Sequence, residues 1–289
     1  MVLAIILLGS LAQAAPPLER GEIVVEARNR AAVGEFVQRM VNPGLGNQIP
    51  RWDGTLCSGV MGLDRDQAEM VNDRIAQISH SIHLRSGAPG CKPSVLIVVT
   101  RDADAIAQAV TAQNPVSLRT GAGRSKIDQF RRPGQAVRWL AMTGDAGAAN
   151  AKPIFDPLGR GTAVQSKDTA GYSEYATRLA LPTRAVMSSM LVLVDSAAIG
   201  TVKLDALADY LTMVVLARPP LGALPPSQSI LSLFTDGERV RQLTTFDQDY
   251  LIAMYTTAPD VSSSSQASSI RARLTMRPRQ RSASAITVP

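Results

Sequence analysis

The chain has 289 residues, enough for one large domain or two small ones, and 45% of them are hydrophobic, so it can bury a core. Aromatic residues make up only 4%, which argues against a stacking surface for single-stranded nucleic acid. The net charge of +6 is concentrated at the end of the chain, because five of the 30 Lys and Arg residues lie after Val261. The other 25 are nearly balanced by the 24 Asp and Glu residues.

The first fourteen residues predict a secretory signal peptide. Val2–Leu8 is an unbroken apolar run, and residues 12–14 supply the small residues of an A-x-A cleavage site. The run is too short to span a bilayer, and no later segment is long and apolar enough. We therefore predict a signal peptide over 1–14, a flexible lead over 15–21 and a periplasmic or secreted protein. The alternative is a buried N-terminal helix of a cytosolic protein, since no Lys or Arg precedes the run.

The first predicted elements are a strand at Glu22–Ala27, rich in β-branched residues, and a helix at Arg30–Val41. Asp64 can cap the next helix, with Gln67 three residues later. One apolar stripe at helical spacing marks this helix and consists of Val71, Ile75, Ile78 and Ile82.

The only two cysteines, Cys57 and Cys91, are predicted to form a disulfide. An even count in an exported chain favours pairing, which would stabilise the fold by roughly 3–4 kcal/mol. The alternative is two buried free thiols.

A strand and a helix follow Cys91. Val95–Val99 is wholly apolar and fits a strand buried on both faces. Asp102 precedes a helix with apolar residues at Ile106 and Val110. Residues 115–135 are polar with scattered glycines, which predicts a long loop.

The second half of the chain predicts three strands and two helices. The strands are Val137–Met142, Tyr175–Leu181 and Ala185–Val194, with a Gly- and Ala-rich loop at 144–168. Apolar residues at helical spacing mark one helix, namely Leu204, Leu207, Leu211, Val214 and Val215. A capping box at Thr244–Asp247 opens the last helix.

Neither the spacing of the two histidines nor the glycine-containing segment at Gly121–Lys126 predicts a metal or cofactor site. His80 and His83 lie one helical turn apart, as metal ligands can, but His80 is nearly opposite the apolar stripe and no third ligand is near. Gly121–Lys126 departs from both the P-loop and the dinucleotide-binding patterns, and favours a flexible basic loop. We therefore predict no metal and no cofactor.

Carboxylates are the remaining candidates for catalysis, since the chain has no G-x-S-x-G and no S-x-x-K motif. Asp205, Asp209, Asp247 and Asp249 lie on different predicted helices. Two-carboxylate chemistry could still arise in three dimensions, so an exported hydrolase acting on peptide or cell-wall substrate remains the alternative function.

The segment Leu204–Tyr255 has a distinctive order of elements. A helix and a Pro-rich link precede Ser229–Phe234, with the sequence Ser-Ile-Leu-Ser-Leu-Phe, and a closing helix begins Leu-Thr-Thr-Phe-Asp. This ending resembles that of zincin-type metalloprotease domains and of uncharacterised exported bacterial proteins. The resemblance implies that the first helix crosses a sheet beside an open cleft at Ala208 and Thr212. Zincins carry His-Glu-x-x-His there, so the resemblance implies a degenerate member without zinc.

Residues 261–289 predict a disordered basic tail, beginning with a serine run. Its arginines are Arg271, Arg273, Arg277, Arg279 and Arg281, and no Asp or Glu lies among them. Such a tail could contact anionic lipid or polysaccharide. The alternative is a solvated disordered end without a partner.

Together these patterns predict a mixed α/β fold of α+β character. A single globular domain over 22–260, with a subdivision near 144–170 as an alternative, would place a small sheet between helices. For function they predict a non-enzymatic binding or structural domain of the cell envelope, a zincin-like pseudoenzyme if the resemblance holds. Its partner would be an envelope protein or polymer, and not a specific nucleic acid.

Overall fold

The computed structural model describes residues 30–44, 47–113, 115–147, 181, 183–200, 202–222, 227–235 and 240–275. This part of the chain forms a mixed α/β fold with one small sheet, as predicted. The strands are β1 (Ser58–Met61), β2 (Val95–Thr100), β3 (Val137–Gly147) and β4 (Thr183–Asp195). The helices are α1 (Arg30–Met40), α2 (Arg65–Ser81), α3 (Ala103–Gln113), α4 (Pro115–Gly121), α5 (Arg124–Phe130), α6 (Leu204–Ala217), α7 (Thr245–Thr256) and α8 (Ser263–Thr275), with a 3-10 turn at Ile230–Phe234.

Several predicted segments lie outside the described residues. They are the signal peptide, the flexible lead, the strand at 22–27, most of the strand at 175–181, most of the loop at 144–168, and Arg277, Arg279 and Arg281.

The strands lie in the order β1-β2-β4-β3. β1, β2 and β4 are parallel, so their carboxyl ends share one edge of the sheet, whereas β3 is antiparallel to β4. Val137 at the start of β3 lies opposite Val194 near the end of β4. β3 therefore begins at the carboxyl edge of the parallel strands.

The two faces of the sheet meet different helices, because successive side chains of a strand point to opposite faces. On one face, the Trp139 indole donates to the carbonyl of Pro219, just after α6, and the Ser58 hydroxyl donates to Asn72 of α2. On the other face, Arg138 donates to the carbonyl of Phe130 in α5. The sheet thus lies between α2 with α6 and the group α3–α5.

The α6 helix is the centre of the core. Every residue from Ala206 to Ala217 is buried, which is expected of a helix that is apolar on all sides. Its buried carboxylate, Asp209, pairs with Arg74 of α2 at 2.5 Å. The hydroxyl of Thr212 donates to the carbonyl of Ala208 at 2.7 Å, so this polar atom is satisfied within the helix.

The predicted disulfide is confirmed in the structure. Cys57 and Cys91 are bonded, with their Cα atoms 6.1 Å apart and a sequence separation of 34 positions. The bond holds the start of β1 beside the segment that leads into β2. Gly87 packs against it so closely that a Cβ there would lie 2.5 Å from the Cys91 sulfur.

The α2 helix forms as its sequence pattern predicts. The side chain of Asp64 accepts a hydrogen bond from the Gln67 amide at 2.9 Å and caps the first turn. The apolar stripe of the helix is buried, as are Ile82 and Leu84 just beyond it. The capping box of α7, formed by Thr244 and Asp247, is also present as predicted.

The predicted loop over 115–135 is wrong, because this segment contains α4 and α5. Each helix has seven residues, which is too short to show a repeated apolar stripe. Leu118, Ile127 and Phe130 are buried and hold both helices against the sheet.

The predicted disordered tail is wrong over residues 263–275, which form α8. Gln266, Ile270 and Leu274 are buried on one side of this helix. The buried face could not be recognised in this serine-rich sequence, because only three residues, four positions apart, belong to it. Arg271 and Arg273 therefore lie on a helix.

Candidate functional site

The two histidines do not form a metal site within the described residues. His80 is exposed, and its Nδ1 lies 2.7 Å from the Ala76 carbonyl oxygen. His83 is also exposed and has a φ of 62°, in the left-handed region. Among the described residues, no group of three or more His, Cys, Asp and Glu side chains is placed to hold a metal ion.

The candidate catalytic carboxylates have structural partners. Asp209 accepts from the Leu243 amide at 2.6 Å as well as pairing with Arg74. Asp247 is fully buried and accepts from the amides of Ile230 and Thr244, each at 3.0 Å. The two acids thus hold the 3-10 turn and the start of α7, rather than facing each other across a cleft.

Burial raises the pKa of Asp247, and the hydrogen bonds that it accepts act in the opposite direction. One of its oxygens, Oδ1, is buried without a hydrogen-bond partner. Asp205 accepts from the Ala206 amide at 2.8 Å in the first turn of α6. Each of these acids is therefore explained by local structure.

The cleft that the zincin resemblance implies at Ala208 and Thr212 is not found in the described part of the molecule. Ala208 is 1% exposed and Thr212 is 0% exposed. Neither residue lines any of the described cavities. Asp209, which lies between these two residues, is engaged by Arg74.

A cleft of about 270 Å³ lies beside the amino-terminal end of β3, between that strand, α6 and the 3-10 turn. Three aromatic side chains line it, although aromatic residues are only 4% of the chain. They are Trp139 of β3, Tyr210 of α6 and Phe234 of the 3-10 turn. We call this feature the aromatic cleft.

The aromatic walls are held in fixed orientations. The Trp139 indole N–H donates to the Pro219 carbonyl at 3.2 Å. The rings of Tyr210 and Phe234 meet edge to face, with centroids 4.9 Å apart. Pro219 and Pro220 form a further wall, which is rigid because proline fixes its own φ.

Tyr210 supplies a neutral polar group. Burial raises the pKa of its hydroxyl, so the group stays protonated throughout the physiological range. No hydrogen-bond partner of this hydroxyl occurs among the described residues. It can therefore donate to, or accept from, a ligand in the cleft.

The polar side chains at the mouth already have partners. Arg39 pairs with Glu35 at 2.5 Å, and the Gln135 amide donates to two backbone carbonyls. The Thr235 hydroxyl donates to the Ser232 carbonyl at 2.7 Å. Because no carboxylate lines the cleft, its described lining offers apolar contact and hydrogen bonding but no acid–base pair.

Sequence reasoning did not find this cleft. Trp139, Tyr210 and Phe234 lie on three elements that are distant in the chain, and each is an ordinary apolar position of its own element. Only the fold brings them together at one edge of the sheet.

Comparison with protein-family models, with curated proteins and with solved structures finds no match. Within the described residues, no helix has the length and apolar character needed to cross a membrane.

Proposed function

We propose that the chain is an exported protein of the cell envelope that binds a partner and is not an enzyme. The aromatic cleft is its binding site. The observation that carries this proposal is the concentration of three aromatic side chains around one cleft beside the amino-terminal end of β3. Apolar walls with few polar groups are typical of binding pockets.

The size of the cleft indicates the class of ligand. Its volume of about 270 Å³ is below the range of about 300–1,000 Å³ that is usual for drug-sized ligands. It fits one large apolar or aromatic side chain, and the Tyr210 hydroxyl can hydrogen-bond to the attached backbone. The partner is therefore a protein or peptide that presents such a side chain.

Export is supported by two features of the chain. The apolar run at Val2–Leu8 with its A-x-A site is typical of a signal peptide. The disulfide between Cys57 and Cys91 fits an oxidising compartment. N-terminal sequencing of the protein from the native host should find Ala15 as the first residue, and a chain that retains Val2 would contradict export.

The alternative of a carboxylate hydrolase is less well supported. Such catalysis needs two carboxyl groups on opposite sides of the bond to be cleaved. In glycosidases these two groups are about 5–10 Å apart. Asp209 and Asp247 are instead engaged by Arg74 and by backbone amides. The zincin resemblance adds no support to either function, because the cleft that it implies at Ala208 and Thr212 is not found among the described residues.

The binding site can be tested with two indole signals, because the chain has only two tryptophans. Trp139 lines the cleft, whereas the Trp52 indole donates to the Val215 carbonyl inside the core at 2.8 Å. Titration with N-acetyl-phenylalaninamide, followed by ¹H–¹⁵N spectra, should shift the Trp139 indole signal saturably and leave that of Trp52 unchanged.

Two variants make this test specific. Ala136→Trp should fill the cleft and abolish the shift of Trp139, since Ala136 lines the cleft and makes its sheet contact through its carbonyl. Tyr255→Phe is the matched control, because the Tyr255 hydroxyl donates to Leu216 away from the cleft. An unsaturable shift, or equal shifts of both indoles, would contradict the proposal.

A further inference from the structure

A second cavity, with a volume of about 340 Å³, lies beside the first turn of α6. Three separate segments of the chain form its walls. Lys203 and Asp205 come from the start of α6, Leu233 from the 3-10 turn, and Arg241 and Gln242 from the segment that precedes α7. None of these residues lines the aromatic cleft. We call this second feature the charged cavity.

The charged cavity contains two cations that are available to a ligand. Lys203 and Arg241 are both exposed, and neither takes part in any ion pair between described residues. Neither side chain has a hydrogen-bond partner in the described part of the chain. Their N–H groups are solvated, so a ligand that enters the cavity replaces only water around them.

Asp205 supplies a negative charge to the same cavity. Its Oδ1 atom accepts from the Ala206 amide at 2.8 Å, so this amide of the first turn is already occupied. Its second oxygen has no described partner and can accept from a positively charged group. The charges of the cavity therefore come from side chains on two segments of the chain, and they have both signs.

Opposite charges elsewhere on the surface pair with each other. Arg39 pairs with Glu35 at 2.5 Å, and Arg65 pairs with Glu69 at 2.9 Å. In the charged cavity Asp205 faces the same space as two cations, yet no ion pair joins them. Exposed ion pairs contribute little stability, so leaving these charges apart costs little. The arrangement keeps both signs of charge around an open volume.

We propose that the charged cavity binds a small zwitterion with two carboxylates and one ammonium group, of which a dicarboxylic α-amino acid is the smallest example. The ammonium group lies at Asp205, and the carboxylates lie at Lys203 and Arg241. Two negative charges and one positive charge are the reverse of the charges of the cavity. Hydrogen bonds between such charged groups are short and strong, and a guanidinium can hold a carboxylate by two of them.

The remaining lining suits the uncharged part of such a ligand. Leu233 offers an apolar contact for methylene groups, and the exposed amide of Gln242 can donate and accept hydrogen bonds. The volume of about 340 Å³ is near the lower limit of the usual range for small-molecule sites, about 300–1,000 Å³. The ligand is therefore a free amino acid or a very short acidic peptide.

The test is calorimetric titration of the full chain at constant ionic strength. L-glutamate should bind saturably. Glutarate lacks the ammonium group and L-glutamine lacks one carboxylate, so each should bind about tenfold more weakly. L-alanyl-L-glutamate carries the same three charges as L-glutamate and tests the peptide source. Saturable binding of either supports the proposal, and the tighter of the two identifies the source.

Variants of the cations decide whether the binding occurs in the charged cavity. Arg241→Gln should weaken L-glutamate binding by about tenfold or more. Arg124→Gln is the matched control, because Arg124 is exposed, lies on α5 and does not line the cavity. Lys203→Met should weaken binding and Lys203→Arg should restore it. Folding is little affected by either change, since the Lys203 side chain makes no capping hydrogen bond to α6.

Asp205→Asn tests the negative charge separately. Asparagine retains an oxygen for the Ala206 amide and loses the charge, so the variant should bind glutarate at least as well as L-glutamate. A variant that is damaged in folding would lose both ligands, which distinguishes it from a change of preference. Ala136→Trp, which fills the aromatic cleft, should leave L-glutamate binding unchanged, so this site can fail or succeed independently of that cleft.

Three results would overturn the proposal. The first is that the wild-type protein binds neither L-glutamate nor L-alanyl-L-glutamate saturably. The second is that Arg241→Gln binds as well as Arg124→Gln does. The third is that Asp205→Asn still prefers L-glutamate over glutarate by the factor found for the wild-type protein.

Discussion

The sheet with α6 and the helical cap, which consists of α1, α7 and α8, bury side chains of different chemistry. Around the sheet the buried side chains are mainly Val, Ile, Leu and Met. In the helical cap, rings of Phe36, Phe246 and Tyr250 pack together, and buried polar side chains bind the backbone between them. Gln266 of α8 accepts from the Ile49 amide at 2.7 Å and donates to two carbonyls of the loop after α7.

This difference indicates that the two regions are stabilised in different ways. The sheet region draws its stability from the burial of many apolar side chains, and truncating any of them leaves a cavity that its neighbours fill only in part. A buried amide that loses its acceptor has no substitute, so the helical cap depends on a few particular atoms. The following predictions test this comparison.

The largest effect is expected at the centre of α6. Leu211→Ala removes a side chain that is 0% exposed and should lower the free energy of unfolding by about 3–5 kcal/mol. Leu204→Ala, at the partly exposed start of the same helix, should cost much less. Urea unfolding followed by circular dichroism measures both values, and equal losses would show that burial in α6 is not decisive.

Loss of the disulfide should have the second-largest effect on stability. Replacing both Cys57 and Cys91 by serine should lower the free energy of unfolding by about 3–4 kcal/mol, since the bond closes a long loop of the unfolded chain. Reducing the wild-type protein should produce a similar loss in urea unfolding. If reduction has no effect, the covalent link does not contribute to the stability of the sheet region.

Asp247 tests the hydrogen bonds between the 3-10 turn and α7. Asp247→Ala should cost about 2–3 kcal/mol, because the amides of Ile230 and Thr244 lose their acceptor in the interior. Asp247→Asn retains an acceptor oxygen and should cost less. Faster hydrogen exchange of the Ile230 amide in the alanine variant would locate the effect, whereas equal stability of both variants would contradict it.

Gln266 tests the helical cap itself. Gln266→Ala leaves the buried Ile49 amide without an acceptor and should cost about 1–2 kcal/mol. Ser268→Ala, at an exposed position of α8, should leave stability unchanged or raise it slightly, because alanine favours helix. Thermal unfolding of both variants checks this, and a neutral Gln266→Ala would remove the distinction between the two regions.

The last prediction concerns pH. The pKa of Lys126 is lowered from 10.5 to about 7 by burial and by Arg218, so above pH 7 the folded chain binds fewer protons than the unfolded one. The free energy of unfolding should therefore gain from this residue as pH rises from 7 to 9. Lys126→Met should lack this gain in urea unfolding, and Lys203→Met should retain it. Arg218, with a pKa of about 10, stays charged over this range.

Local signals in the sequence predicted much of the fold. The Asp64 cap, the stripe of α2 and the capping box of α7 each lie within a few residues of chain, so their residues identify them without the rest of the molecule. The pairing of Cys57 with Cys91 followed from their even count together with the predicted export of the chain.

Long-range features escaped prediction for a physical reason. α8 is a helix only because α1 and α7 cover Gln266, Ile270 and Leu274, a face too sparse to detect in a serine-rich segment. The aromatic cleft likewise depends on residues that meet only in the folded chain. The hydrogen bond between Arg218 and Asn42 joins positions 176 residues apart.

The contact between Ile49 and Gln266 also bears on how the chain reaches its fold. These residues are 217 positions apart, and α8 also packs directly against α1, so α1 cannot be covered until α8 has been made. During synthesis the apolar side of α1 emerges from the ribosome long before α8 does. Contacts of such separation slow folding, because a long loop must close before they form. A chain that stops before residue 263 would leave this early helix without its cover, and so exposed to aggregation and proteolysis.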